Sequence, residues 1–127
     1  MKTIIIISLV LFIYSITFIS AMDISFYYSE TCPHCQTIYP VVFQQANKYP
    51  SHIFNFYEVS NKDNHERFLG YGFTGVPAFV INTDDKRKIK FVGANEPKLK
   101  CELQEMTTKD CPTNSADTCT KESWFKK

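Results

Sequence analysis

ISFYYSETCPHCQTIYPVVFQQANK, residues 24–48, is the stretch on which the fold turns. Ile24 to Tyr28 is short, aromatic and β-branched, and reads as a buried strand. Ser29-Glu30-Thr31 breaks it. Pro33 then stands where a helix accepts proline, just inside its start, because the missing N–H has no partner there anyway. The helix is expected from about Cys32 to Lys48, with Cys35, Ile38, Val42 and Ala46 recurring on one apolar face. Pro40 lies inside it and is expected to kink it, and Tyr49-Pro50-Ser51 ends it.

The junction of strand and helix is Cys32-Pro33-His34-Cys35. A C-x-x-C opening a helix directly after a strand suits redox chemistry. One helical turn brings the two sulfurs within bonding reach, and unpaired N–H groups and the helix dipole favour a negative charge on the first. The thiolate is the nucleophile, so Cys32 is expected to attack a disulfide and Cys35, deeper in, to resolve the mixed disulfide. His34 either supports the Cys32 thiolate or faces solvent. The same pair is also half of a zinc site, but Cys111 and Cys119 are too far apart, and His52 and His65 lack the spacing, to complete one. No metal is therefore expected.

Outward from the motif, Ile53 to Val59 alternates as a second strand, and Asn61 to Gly70 reads as a short helix. Asn61 or Asp63 caps that helix, with Phe68 and Leu69 turned inward. Tyr71 to Gly75 is a turn-rich loop leading to Val76-Pro77 and a strand Ala78 to Ile81. Asn82-Thr83-Asp84-Asp85 is read as a hairpin turn, Lys88 to Val92 as the return strand, and Glu96 to Met106 as a last helix with Leu99, Leu103 and Met106 on one face. The order is β-α-β-α-β-β-α. From Thr107 the chain is rich in Thr and Lys without a clear period, and reads as a tail held by cysteines. Tyr27, Tyr28, Phe54 and Phe56 are expected in the core.

A chain of 127 residues leaves room for one domain, which excludes a multidomain enzyme or a repeat array. Fourteen basic and 13 acidic residues leave a net charge of +1, and no basic surface points to nucleic acid. Lys2 is followed by an uncharged apolar run ending at Ala21, apolar on every side, which describes a secretory signal or an uncleaved signal anchor. Either way the remainder is expected to be translocated, hence in the secretory pathway, secreted or membrane-anchored, and the membrane is a partner only if the segment stays. The expected units are 1–21, 22–106 and the tail 107–127.

Several separate places resemble the thioredoxin-like superfamily over residues 23–106. They are Cys32-x-x-Cys35, Pro40 five residues on, Tyr71-Gly72-Phe73-Thr74-Gly75-Val76-Pro77, and Phe91-Val92-Gly93-Ala94 followed by a helix containing Leu99. The resemblance implies an α/β minimal thioredoxin fold: a central mixed four-stranded sheet flanked by helices, here preceded by the apolar segment. It also implies a cis Val76-Pro77 bond packed beside Cys32, with the Val76 backbone offered to an extended substrate strand. Pro33-His34 resembles the dipeptide of DsbA-type disulfide oxidases, but the helical insertion those proteins carry before the cis proline is absent. Where many thioredoxins have a buried carboxylate this chain has Phe26, and where they have a tryptophan before the first cysteine it has Thr31. Glu30 and Glu58 are candidate substitutes for the carboxylate, with a solvated surface charge as the plainer reading of each.

Cys101, Cys111 and Cys119 form an odd set. In an oxidising compartment two would pair, with Cys111–Cys119 the first choice and Cys101–Cys111 close behind. The leftover cysteine is open to burial, a bridge to a second copy, or exchange with Cys32. The leading expectation is a thiol–disulfide oxidoreductase acting on protein cysteines, with no cofactor beyond its own disulfide and with a redox-recycling partner. The alternatives are a redox-inert binding module of the same fold and a glutaredoxin-like, glutathione-dependent reductase. Against the last, Gly93-Ala94-Asn95 lacks the paired glycines and acid of a glutathione carboxylate site.

Overall fold

The computed structural model describes residues 1–2, 4–7, 21–104 and 119–120. Most of the apolar leader lies outside these residues, as do Met106, Cys111 and all of the tail but Cys119 and Thr120, so the expectations placed on them fall outside the description. No helix among the described residues is long and apolar enough to cross a membrane.

The first strand, β1, runs Asp23–Tyr28 and is followed by α1, Pro33–Lys48. Strand β2 (Ile53–Glu58) and helix α2 (Lys62–Gly70) come next. Then follow a two-residue strand β3 (Gly75–Val76), the hairpin β4 (Ala78–Asn82) and β5 (Lys88–Val92), and α3 (Glu96–Gln104). A last two-residue strand, β6, is Cys119–Thr120.

The main sheet has the order β2-β1-β4-β5. β1 pairs β2 in parallel, Tyr28 opposite Glu58, and pairs β4 antiparallel, Tyr27 opposite Ala78. β5 closes the sheet antiparallel to β4. The sheet is therefore mixed and four-stranded, as the resemblance implies. β1 is central, and its four inner residues are all buried, which explains why it reads as a continuous apolar run.

Side chains alternate across the sheet. Ile24, Phe26, Phe79, Ile81 and Phe91 face one side, where Ile38 and Val42 of α1 and Leu99 and Leu103 of α3 cover them. Phe26 stacks on Phe79 with ring centroids 4.9 Å apart, and Phe79 on Phe91 at 4.7 Å. Tyr27, Ala78 and Val80 face the other side with Phe68 of α2, Phe73, Cys32, Cys35 and Cys119.

Three local expectations are corrected. Leu69 is half-exposed, because α2 has only nine residues and Phe68 takes its inward position, leaving Leu69 a further 100° round the helix. On α1 the fourth buried position is Gln45, not Ala46. Gly75-Val76 is strand rather than loop, because Cys119-Thr120 pairs with it. The cap of α2 is Asn61, whose side-chain oxygen accepts from the N–H groups of Asp63 and Asn64.

Candidate active site

Cys32 is the N-cap of α1, in extended backbone (φ −88°, ψ 116°), with Pro33 entering the first turn. The first turn carries no acidic residue, and no side chain caps it. The positive end of the helix is thus directed at the Cys32 sulfur without a competing carboxylate. Cys35 sits one turn further in, and both cysteines are 1% exposed. α1 is continuous through Pro40. His34 lies between the cysteines and is half-buried, with no hydrogen bond to either among the described residues.

The Val76-Pro77 peptide is cis. It brings Val76 and Pro77, both buried, against the start of α1. The Cys32 Sγ rests 3.8 Å from the Val76 carbonyl oxygen. Pro77 is held from the far side, its carbonyl accepting the Gly93 N–H at 2.8 Å. The predicted residues Cys32, Cys35, Val76 and Pro77 thus converge on one end of the sheet, where β1 runs out at Tyr28.

Cys32 is not bonded to Cys35. Its disulfide partner is Cys119, 87 positions further along the sequence, with Cα atoms 6.0 Å apart. This corrects the expected Cys111–Cys119 bridge. The physical reason is the pairing of β6 with β3: Val76 stands opposite Cys119 and Gly75 opposite Thr120, antiparallel, which delivers the Cys119 sulfur to the helix N-terminus. Cys101 is also disulfide-bonded. Sequence reasoning could only leave Cys119 among several partners, since two residues of strand carry no period to read.

Cys35 is the free cysteine among the described residues. The Ser29 N–H donates to its Sγ at 3.5 Å. Burial pushes its thiol up to about 11, and the charge of Glu58 adds to the rise, while the Ser29 N–H works against it. Glu58 is half-buried at the end of β2 and accepts from the Ser60 N–H at 2.9 Å. Glu30 is exposed. Phe26 is fully buried in the cluster that Ile38 and Val42 of α1 enter, so no carboxylate occupies that position. Beside Cys35 a cavity of about 330 Å³ opens between Tyr28, Glu30, Gln36, Tyr39 and Pro40. No group of three or more His, Cys, Asp or Glu side chains among the described residues is arranged to hold a metal ion.

Known proteins share this fold. A family model described as Thioredoxin matches residues 20–105. A thioredoxin of Methanocaldococcus jannaschii is 33% identical over 75 residues, covering 59% of this chain and 82% of that protein. The structure of Fasciola hepatica thioredoxin matches with a TM-score of 0.59 at 30% identity, over 65% of this chain and 78% of that one. Arabidopsis thaliana thioredoxin O2 in its oxidised state matches with a TM-score of 0.61 over 68% of this chain and 76% of its own, and at 18% identity that is a likeness of fold. The chain belongs to the thioredoxin family, whose enzymes exchange thiols and disulfides with no cofactor beyond a redox-active cysteine pair.

Proposed function

We propose that this protein is a thiol–disulfide oxidoreductase acting on cysteines of other proteins, with Cys32 as the attacking sulfur and Cys35 as the resolving one. The observation that carries this reading is the seat of Cys32: N-cap of α1, no acidic neighbour in the first turn, and its sulfur 3.8 Å from the Val76 carbonyl beside the cis proline. The Cys32 thiolate attacks a substrate disulfide and a mixed disulfide forms as the substrate's other sulfur leaves. The Cys35 thiolate then attacks Cys32, and the substrate departs with its second thiol. Two electrons pass to the substrate and Cys32–Cys35 is left as a disulfide. The same steps in reverse oxidise a dithiol. A recycling partner restores the starting state.

Two finer points belong to the proposal. Pro33-His34, with His34 half-buried on the first turn, resembles the dipeptide of DsbA-type oxidases and favours the oxidising direction in this chain. The apolar run after Lys2 supports action in a translocated compartment, which an in vitro translocation assay with and without residues 1–21 would check.

The test is turnover of insulin disulfides in dithiothreitol. The wild-type chain should accelerate it, Cys32→Ser should abolish the acceleration, and Cys35→Ser should accumulate a mixed disulfide with insulin. No acceleration by wild type or by Cys119→Ser overturns the reading. One observation favours the alternative of a redox-inert binding module, namely the engagement of Cys32 by Cys119. In that case partner binding would survive loss of both Cys32 and Cys35.

A further inference from the structure

Cys119-Thr120 meets Cys32 on the side of Val76 and the cis proline. It forms a strand antiparallel to Val76, the backbone beside the cis proline, and its cysteine stands directly opposite Val76. The Cys119 side chain is almost fully buried among Tyr27, Phe73, Val76 and the two motif cysteines. Among the described residues the main-chain part of this seat is the two-residue strand Cys119–Thr120. The covalent part is one bond to the sulfur at the head of α1. The same buried cluster holds a free thiol, Cys35, one helical turn on from Cys32, with an N–H directed at its sulfur.

We propose that Cys119 is a third redox cysteine, and that the segment carrying it is an internal substrate, captured in the groove as a reversible mixed disulfide with Cys32. This rests on Cys32 and Cys35 being an exchange pair. The step is an isomerisation that needs no external oxidant or reductant. Cys35 loses its proton and its thiolate attacks the Cys32 sulfur. The Cys32–Cys119 bond breaks, the Cys32–Cys35 bond forms, and Cys119 leaves as a thiolate that takes up a proton. The reverse attack of Cys119 on Cys32–Cys35 restores the capped state. A tethered cysteine faces Cys32 at an effective concentration of about millimolar, so it competes with any external substrate present at micromolar levels. It also identifies what the groove accepts: an extended polypeptide with a cysteine in register with Val76.

The experiment uses the oxidised full-length chain, acid quenching, alkylation with N-ethylmaleimide, and mass spectrometry of non-reduced digests. Wild type at pH 5 should yield the Cys32–Cys119 peptide with alkylated Cys35. After a jump to pH 9, Cys32–Cys35 should appear with alkylated Cys119, at a ratio that the return jump reverses. Cys35→Ser should hold the Cys32–Cys119 link throughout. Cys119→Ser should turn over insulin several-fold faster than wild type when reductant is limiting. A Cys32–Cys119 peptide that never converts in wild type is a static cross-link and overturns the proposal, as does its absence. If either occurs while Cys119→Ser still reduces insulin, the oxidoreductase reading stands and only the internal substrate falls. If the two disulfides interconvert but insulin is untouched by every form, the external substrate falls and the internal exchange remains. The wild-type arms need no variant, so a Cys119→Ser chain that fails to fold does not blunt the test.

Discussion

In the proposed internal exchange the Cys35 thiol is the attacking group, and its surroundings make the rate strongly pH-dependent. Burial carries it from the ordinary 9.0 to about 11 while Cys32 is engaged by Cys119. At neutral pH this lowers its thiolate fraction about 100-fold relative to an unshifted thiol, while the more basic thiolate recovers about 10-fold in nucleophilicity. The net expectation is intramolecular attack on Cys32 about 10-fold slower than by an unshifted cysteine, rising about 10-fold per pH unit and levelling only near pH 11. The assay is a pH–rate profile of Cys32–Cys119 loss by quench and mass spectrometry at constant ionic strength. Glu58 contributes to the rise, so Glu58→Gln should move the bend of the profile downward. A wild-type profile that bends between pH 8 and 9, or one that Glu58→Gln moves upward, would refute the reasoning. The same shift links to stability. The folded state holds the Cys35 proton more tightly than the unfolded chain does, so its contribution is fully present below about pH 9 and is lost between about pH 9 and 11, by about 3 kcal/mol. Cys35→Ser should flatten the decline in urea midpoint across the lower half of that window.

Three further outcomes follow from the packing. Phe26→Ala should cost about 3–5 kcal/mol in urea unfolding, because the ring is fully buried against Phe79 and Tyr28, and a loss below 1 kcal/mol would contradict the stacked core. Asn61→Ala should cost about 1 kcal/mol by orphaning the Asp63 and Asn64 N–H groups, with Asn61→Ser recovering most of it in the same assay. Gly72→Ala should cost about 1 kcal/mol through its positive φ of 80° alone, since an added Cβ meets nothing within 4 Å, and Gly72→Asn should cost less.

The motif and its helix were legible because local rules suffice there. A strand of buried aromatics, a proline at a helix start and two cysteines one turn apart each carry their own constraint, and Asn61 is a cap for the same kind of reason. The cis proline needed more than local rules, namely the conjunction of Val76-Pro77 with Cys32-x-x-Cys35. Leu69 and Ala46 were misplaced by one position, which is what an apolar period permits when a short or gently amphipathic helix meets a sheet. The partner of Cys32 was illegible for a different reason. The sequence Asp117-Thr118-Cys119-Thr120 has neither alternation nor apolar bulk, and the place of Cys119 depends on main-chain pairing with Val76, 43 residues earlier. Main-chain pairing leaves no mark on side-chain pattern.

One feature of α1 makes redox state a folding variable. Its N-cap residue is a cysteine rather than Ser, Thr, Asp or Asn, and the first turn lacks the acid that would otherwise complement it. A sulfur held in a disulfide is a poor substitute, being neutral and a weak acceptor. A thiolate is a good one, since it places an anion over the unpaired amides. The helix is therefore better finished by an ionised Cys32 than by a bridged one, and electrons delivered to this site tighten the secondary structure that presents it to the extent that the freed sulfur carries charge.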